Sequence, residues 1–272
     1  MKYLTENKRN YLEIGNGKQF LHPAFYGNLA QLVSAIDGAG LKRPNSEDVA
    51  DLVYDAFQDK NEKYSAEIIK ILEDLFLREF TGNLYLPKRD GEEVHNGVIV
   101  ESNPSIIKGR TIMDKNSLIK RLQSNDPLVK FVPFGFKTGE LPKKGFGKND
   151  YNIARYGEER ADKIEQVASQ YKFDPVLNVF NSVDKEIVRG SALYSSGSIV
   201  DGDRLYLDGY DWDDGGNGYA FGVSREALGA ELKESSAKPT QKILYSIEDV
   251  REALEKANFG PLADSIISQL SK

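Results

Sequence analysis

The chain has 272 residues, enough for one large domain or two modest ones with a sizeable core. Hydrophobic residues make up 40%, charged residues 29% and aromatics 10%, which is globular rather than disordered composition. The net charge of −6 argues against a nucleic-acid partner, and the absence of cysteine excludes disulfides, thiol nucleophiles and Cys-ligated zinc. No apolar run of about 18 residues exists, so no membrane span is expected. Met1 to Gly15 is polar and lacks the apolar core of a signal peptide, so cytoplasmic synthesis or virion association is expected.

The first eighty residues read as a helical N-terminal region. Leu29, Leu32, Val33 and Ile36 recur at helical spacing between Asn28 and the glycines Gly38 and Gly40. Ser46 is the expected cap of a second helix, with Glu47 and Asp48 in its first turn and Val49, Leu52, Val53 and Phe57 as its buried stripe. A third helix is predicted from about Ser65 to Phe80, with Thr81-Gly82-Asn83 ending it.

The pattern then becomes mixed. Leu84 to Pro87 and Gly97 to Val100 are strand-like, and Ser117 to Leu122 is a short helix. Val129 to Phe136 is apolar, but its Val132-Pro133 step argues against a central strand. A Gly/Lys-rich loop over Thr138 to Asn149 precedes one helix from about Tyr151 to Tyr171. Pro175 to Phe180 and Glu186 to Val188 are again strand-like.

Gly190 to Ser224 is distinctive. It holds eight Gly, six Asp, five Ser, four Tyr and one Asn, with no Lys and no Glu. Asp201-Gly202, Asp208-Gly209, Asp214-Gly215 and Asn217-Gly218 read as turns, and Arg204 to Leu207 and Tyr219 to Val223 as strands. Tyr and Trp offer rigid amphipathic contact area, Ser, Asp and Asn offer adaptable hydrogen bonds, and side chains of high entropy are missing; this is the composition of a paratope. If extended, Tyr194, Ser196 and Ser198 share one face with Leu193 and Ser195 opposite. Likewise Tyr206, Asp208 and Tyr210 oppose Leu205 and Leu207. A short helical tail is expected over 241–272.

Catalytic patterns are sparse. His22 and His95 are the two histidines, no G-x-S-x-G elbow or Walker motif occurs, and no acidic pair stands out by spacing. Asp211-Trp212-Asp213-Asp214-Gly215 fails the EF-hand pattern, having Gly215 at the fifth position and Gly222 at the twelfth. No catalytic residue, metal ligand or cofactor is assigned.

Val188-Arg189-Gly190-Ser191-Ala192-Leu193, the small and aromatic polar residues after it, and Gly218-Tyr219-Ala220-Phe221-Gly222-Val223 together resemble the variable region of archaeal diversity-generating retroelement target proteins. The resemblance spans roughly Thr81 to Glu231. It departs at the closing strand, which ends Val223-Ser224 where the family has Phe-Arg, and at the helical tail. The expected fold is an α+β chain: the helical regions 1–80 and 241–272 read from the residues flank a C-type lectin-like domain that the resemblance implies over 81–234, with a variable segment at about 190–224. The resemblance implies ligand binding at Tyr194, Ser196, Ser198, Asp201, Tyr206, Asp208, Tyr210, Trp212, Asp213, Asp214 and Asn217. Leu193, Leu205, Leu207, Ala220, Phe221 and Val223 become scaffold. The expected partner is a protein or surface glycan, with the oligomeric state open. The alternatives are a carboxylate-based enzyme in a lectin-like cleft and a structural or virion assembly protein. Related lectin-fold enzymes that make formylglycine rely on cysteines, so that chemistry does not carry over.

Overall fold

Residues 2–27 form strands, not helix. In the computed structural model, which describes residues 1–196, 203–211 and 216–224 and only the backbone of Asp211, β1 (Lys2–Glu6), β2 (Arg9–Glu13) and β3 (Gln19–His22) make an antiparallel sheet. Asn7 and Lys8, both at positive φ (49° and 63°), form the tight turn between β1 and β2. β4 (Phe25–Gly27) follows.

Three helices come next. α1 (Leu29–Gly38) starts at Asn28, whose side chain accepts from the Gln31 amide in a reciprocal capping box. α2 (Ser46–Gln58) is capped by Asn45 rather than Ser46, because Asn45 pairs reciprocally with Asp48. Ser46 is the first helical residue, and its hydroxyl is spent on a buried carboxylate described below. α3 (Lys63–Asp74) stops well short of the expected end. Its would-be last turn, Thr81-Gly82-Asn83 included, belongs to β5 (Leu77–Leu86), all ten residues of which are buried. The boundary expected at 80/81 therefore falls inside a strand.

The remaining elements are β6 (Gly97–Ser102), the hairpin β7 (Ser105–Ile107) and β8 (Arg110–Ile112), α4 (Lys115–Gln123), β9 (Val129–Pro133) and β10 (Gly139–Glu140). A 3-10 turn (Phe146–Lys148) leads into α5 (Asp150–Tyr156) and α6 (Glu158–Ser169). The single helix expected over 151–171 is thus two. Gly157, at φ 73°, breaks it with a conformation that other residues resist. β11 (Val176–Asn178), β12 (Ile187–Ser196), β13 (Arg204–Asp211) and β14 (Gly218–Ala220) complete the described chain. The tail expected over 241–272 lies outside the described residues.

One large sheet organises the fold, in the order β10-β11-β13-β12-β5-β14-β4, with β6 beside β5 and β9 beside β6. β9 pairs with β6 alone, so Pro133 sits at the end of an edge strand, where its missing N–H costs no ladder bond. β5 is the spine. β12 runs antiparallel along one side of it, and β6 and β14 share the other. α3 lies over β12, α2 against β5, and α6 against α2. Between sheet and helices sits the main core, where Val53, Ile68, Leu72, Tyr151 and Ile164 meet Leu77, Leu177, Leu193, Leu205 and Leu207.

Two charged clusters enter or border that core, and each is paired internally. The Arg155 guanidinium donates to Glu79 Oε2 through Nε (2.9 Å) and Nη2 (2.7 Å), and both side chains are fully buried. Tyr156 donates to Glu79 Oε1 at 3.1 Å, and the Ser46 hydroxyl donates to Oε2. A second cluster holds β3 to α2 and α6. Lys18 Nζ lies 3.1 Å from Asp48 and 2.9 Å from Asp51, which also accepts from Arg160 and Lys163. Burial alone would raise the Asp51 pKa, but these cations outweigh it and hold the carboxyl below its usual range.

Candidate functional site

The alternation read from the sequence is realised on β12 and β13. Leu193, Leu205 and Leu207 point into the core with no exposure, while Tyr194, Ser196, Tyr206, Asp208 and Tyr210 are half-buried on the other side. Antiparallel register sets Tyr194 opposite Tyr206, and their rings stack 4.8 Å apart at 4°. Parallel pairing with β11 sets Val176 beside Tyr206 and Asn178 beside Asp208. Two transverse rows result. One runs Glu140, Val176, Tyr206, Tyr194, and the other runs Asn178, Asp208, Ala192, Arg78.

Contacts fix these side chains. Asn178 Nδ2 donates to the Tyr194 hydroxyl at 3.3 Å. Arg204 Nη1 reaches Glu140 Oε2 at 2.7 Å, and the Arg204 guanidinium carbon lies 5.4 Å from the centre of the Phe173 ring. Tyr210 is more anchor than display. Its ring packs on Phe180 at 4.5 Å, and its hydroxyl donates to the Val179 carbonyl at 3.0 Å.

The site is rigid from below. Asn83 Nδ2 donates to Ser191 Oγ (2.9 Å) and to the Gly190 carbonyl (3.3 Å), where β12 bulges. The Arg155 Nη2 donates to the Ala192 carbonyl at 3.0 Å. Tyr85 donates to the Gly209 carbonyl at 3.0 Å. Asp208-Gly209, expected to form a turn, lies within β13 instead. Gly209 is needed there for close approach: a Cβ would fall 2.5 Å from the Tyr151 hydroxyl and 2.8 Å from that of Tyr85.

Of the sequence-predicted binding residues, the structure brings together Tyr194, Ser196, Tyr206, Asp208 and Tyr210. Asn217 is exposed just before β14, on the far side of β5 from this group. Ser198, Asp201, Trp212, Asp213 and Asp214 lie outside the described residues. Sequence reasoning missed Asn178, Phe173, Arg204 and Glu140. The strand character of 175–180 was visible, but its place beside β13 rests on a parallel pairing that leaves no local signature. The expected scaffold residues Ala220, Phe221 and Val223 are buried.

Asp208 is electrostatically unusual. Burial raises its pKa, and the Tyr210 N–H (2.6 Å from Oδ1) and the Arg155 and Arg78 guanidiniums only partly offset this. An acid whose folded pKa exceeds the unfolded value of about 3.9 costs stability progressively as pH rises above the unfolded value, and in full once pH passes the folded one. Asp208→Asn is therefore expected to raise the melting temperature at pH 7, with the gain vanishing below about pH 4. Thermal melts of both proteins across that range check this, and an Asn variant less stable at neutral pH contradicts it.

Among the described residues, no group of three or more His, Asp or Glu is placed to hold a metal ion, and no helix is long and apolar enough to cross a membrane. No family model matches the chain, and no curated protein matches it. Among solved structures, one described as "Accommodation of massive sequence variation in Nanoarchaeota by the C-type lectin fold" aligns with 76% of this chain and 97% of its own, at 16% identity and a TM-score of 0.49.

Proposed function

We infer that this chain is a ligand-binding protein whose β12–β13 surface is a diversified recognition face on a C-type lectin scaffold, of the diversity-generating retroelement kind. One observation carries the reading. Two adjacent strands present Tyr194, Ser196, Tyr206 and Asp208 together, while their leucines and a buried polar network hold the backbone from the other side. Side chains on such a surface can change without disturbing what supports them. Ser198, Asp201, Trp212, Asp213, Asp214 and Asn217 complete the proposed binding set. Aromatic anchors would supply most of the affinity for a protein or surface-glycan partner.

Tyr194→Ala/Tyr206→Ala is expected to cost about 2 kcal/mol or less, because the stacked rings are half-exposed. Leu193→Ala or Leu207→Ala alone is expected to cost about 2–5 kcal/mol. Binding on a protein or glycan array should be lost in the tyrosine variant and kept in folded controls. Urea melts and array signals check both halves, and a tyrosine variant that unfolds makes these rings core rather than display. At the genome, a neighbouring reverse transcriptase and a near-copy of codons 190–224 differing at adenines supports the retroelement assignment, and a locus with neither overturns it. If the tyrosine variant instead dissociates an oligomer in light scattering, the assembly reading replaces this one.

A further inference from the structure

The loops around β10 build a cavity of about 360 Å³, within the size range of small-molecule sites. Its floor is apolar: Phe136, Leu141 and Phe146 are all buried. Its rim is basic. Lys137, Lys144 and Lys148 line it, against the single acid Asp150. Lys148 is engaged by Asp162 at 2.9 Å, whereas Lys137 and Lys144 are exposed and form no ion pair among the described residues. This surplus of positive charge stands on a chain of net charge −6.

The two lysine-bearing loops are fixed in advance. Asn149 Nδ2 donates to the Lys137 carbonyl at 2.9 Å. The amides of Gly145 and Gly147 donate to the Glu165 carboxylate at 3.1 and 2.8 Å. Gly135 and Gly145 leave open space where a side chain would stand. A preformed apolar floor under unpaired ammonium groups suits a ligand with matching parts, since little ordering remains to be done on binding.

We propose that this pocket binds a small organic anion, with a flat or compact apolar body against Phe136, Leu141 and Phe146 and a phosphate or carboxylate head between Lys137 and Lys144. The pocket lining shares no residue with the β12–β13 face, and the proposal does not depend on that face's function.

The test is titration of the isotope-labelled chain with phenyl phosphate, phenylacetate, inorganic phosphate and phenol, followed by amide NMR. Phenyl phosphate or phenylacetate should shift the Gly135, Gly145 and Asn149 amides and bind at least tenfold more tightly than inorganic phosphate or phenol. Whichever of the two binds identifies the head group. Lys137→Glu/Lys144→Glu should weaken that binding at least tenfold while leaving the rest of the spectrum in place. Tyr194→Ala/Tyr206→Ala should leave it unchanged. Shifts elsewhere, equal affinity for inorganic phosphate, or an unaffected lysine variant would overturn the proposal.

Discussion

Glu79→Ala is expected to lower the stability of the fold by about 3–5 kcal/mol. The substitution strands the Arg155 guanidinium, which is fully buried and donates both of its charge-paired hydrogen bonds to one carboxylate oxygen of Glu79. Burial alone would lower the Arg155 pKa, and the Glu79 carboxylate outweighs it, so the group stays charged. Without that carboxylate the charge remains and its partner does not, and the Tyr156 and Ser46 hydroxyls lose their acceptor as well. For a chain of this size the loss corresponds to a fall in melting temperature of roughly 10 °C. The double variant Glu79→Leu/Arg155→Met should recover much of it, because removing both charges removes the desolvation cost that their attraction offsets. Calorimetry of the three proteins decides the matter. A Glu79→Ala protein melting within about 2 °C of the parent would mean that water reaches Arg155.

The second large effect is expected at Gly209. Gly209→Ala places a methyl 2.5 Å from the Tyr151 hydroxyl and 2.8 Å from both the Tyr85 hydroxyl and Val179 Cγ1. Neither tyrosine can retreat freely. Tyr151 donates to Asn83 Oδ1 at 2.8 Å, and Tyr85 donates to the carbonyl of Gly209 itself. Overpacking of this kind costs about 1–3 kcal/mol, and a lost buried hydrogen bond adds about 1 kcal/mol. The easiest relief is for β13 to move outward, carrying Tyr206, Asp208 and Tyr210 out of register with β12 and β11. Faster amide hydrogen exchange along β13, together with the lower melting point, is the expected signature. Exchange rates like those of the parent would show that Tyr85, Tyr151 and Val179, not the strand, give way.

Much of this was readable in the residues because the signals are local. The apolar stripes of helical period after Asn28 and Pro44 mark α1 and α2, although the cap of α2 falls on Asn45, one residue before the expected Ser46. The polar-apolar alternation of 204–210 needed no partner to be recognised. The failures share a cause: their determinants are distant. Leu75, Phe76 and Phe80 extend the helical spacing of α3, yet β12 and β6 flank the residues from Leu77 onward and draw them into the sheet as β5. Asp208-Gly209 has the composition of a turn, and only the two tyrosine hydroxyls from β5 and α5 show why glycine is there. The N-terminal strands escaped notice because β1 is almost wholly exposed and so carries no apolar alternation. Asn178 and Arg204 gain their place at the site from β11 and β10, whose neighbours in the sheet lie far away in sequence.

The pairing of β4 with β14 ties the two ends of the described chain together. Phe25 to Gly27, near the start of the chain, closes the sheet edge against Gly218 to Ala220, near the end of the described residues, and Val223 bridges both Phe20 and Lys42. A cut at residue 80 would therefore strip the large sheet of its β4 edge as well as split β5. The ends of the described chain and its middle thus share one sheet and stand or fall together.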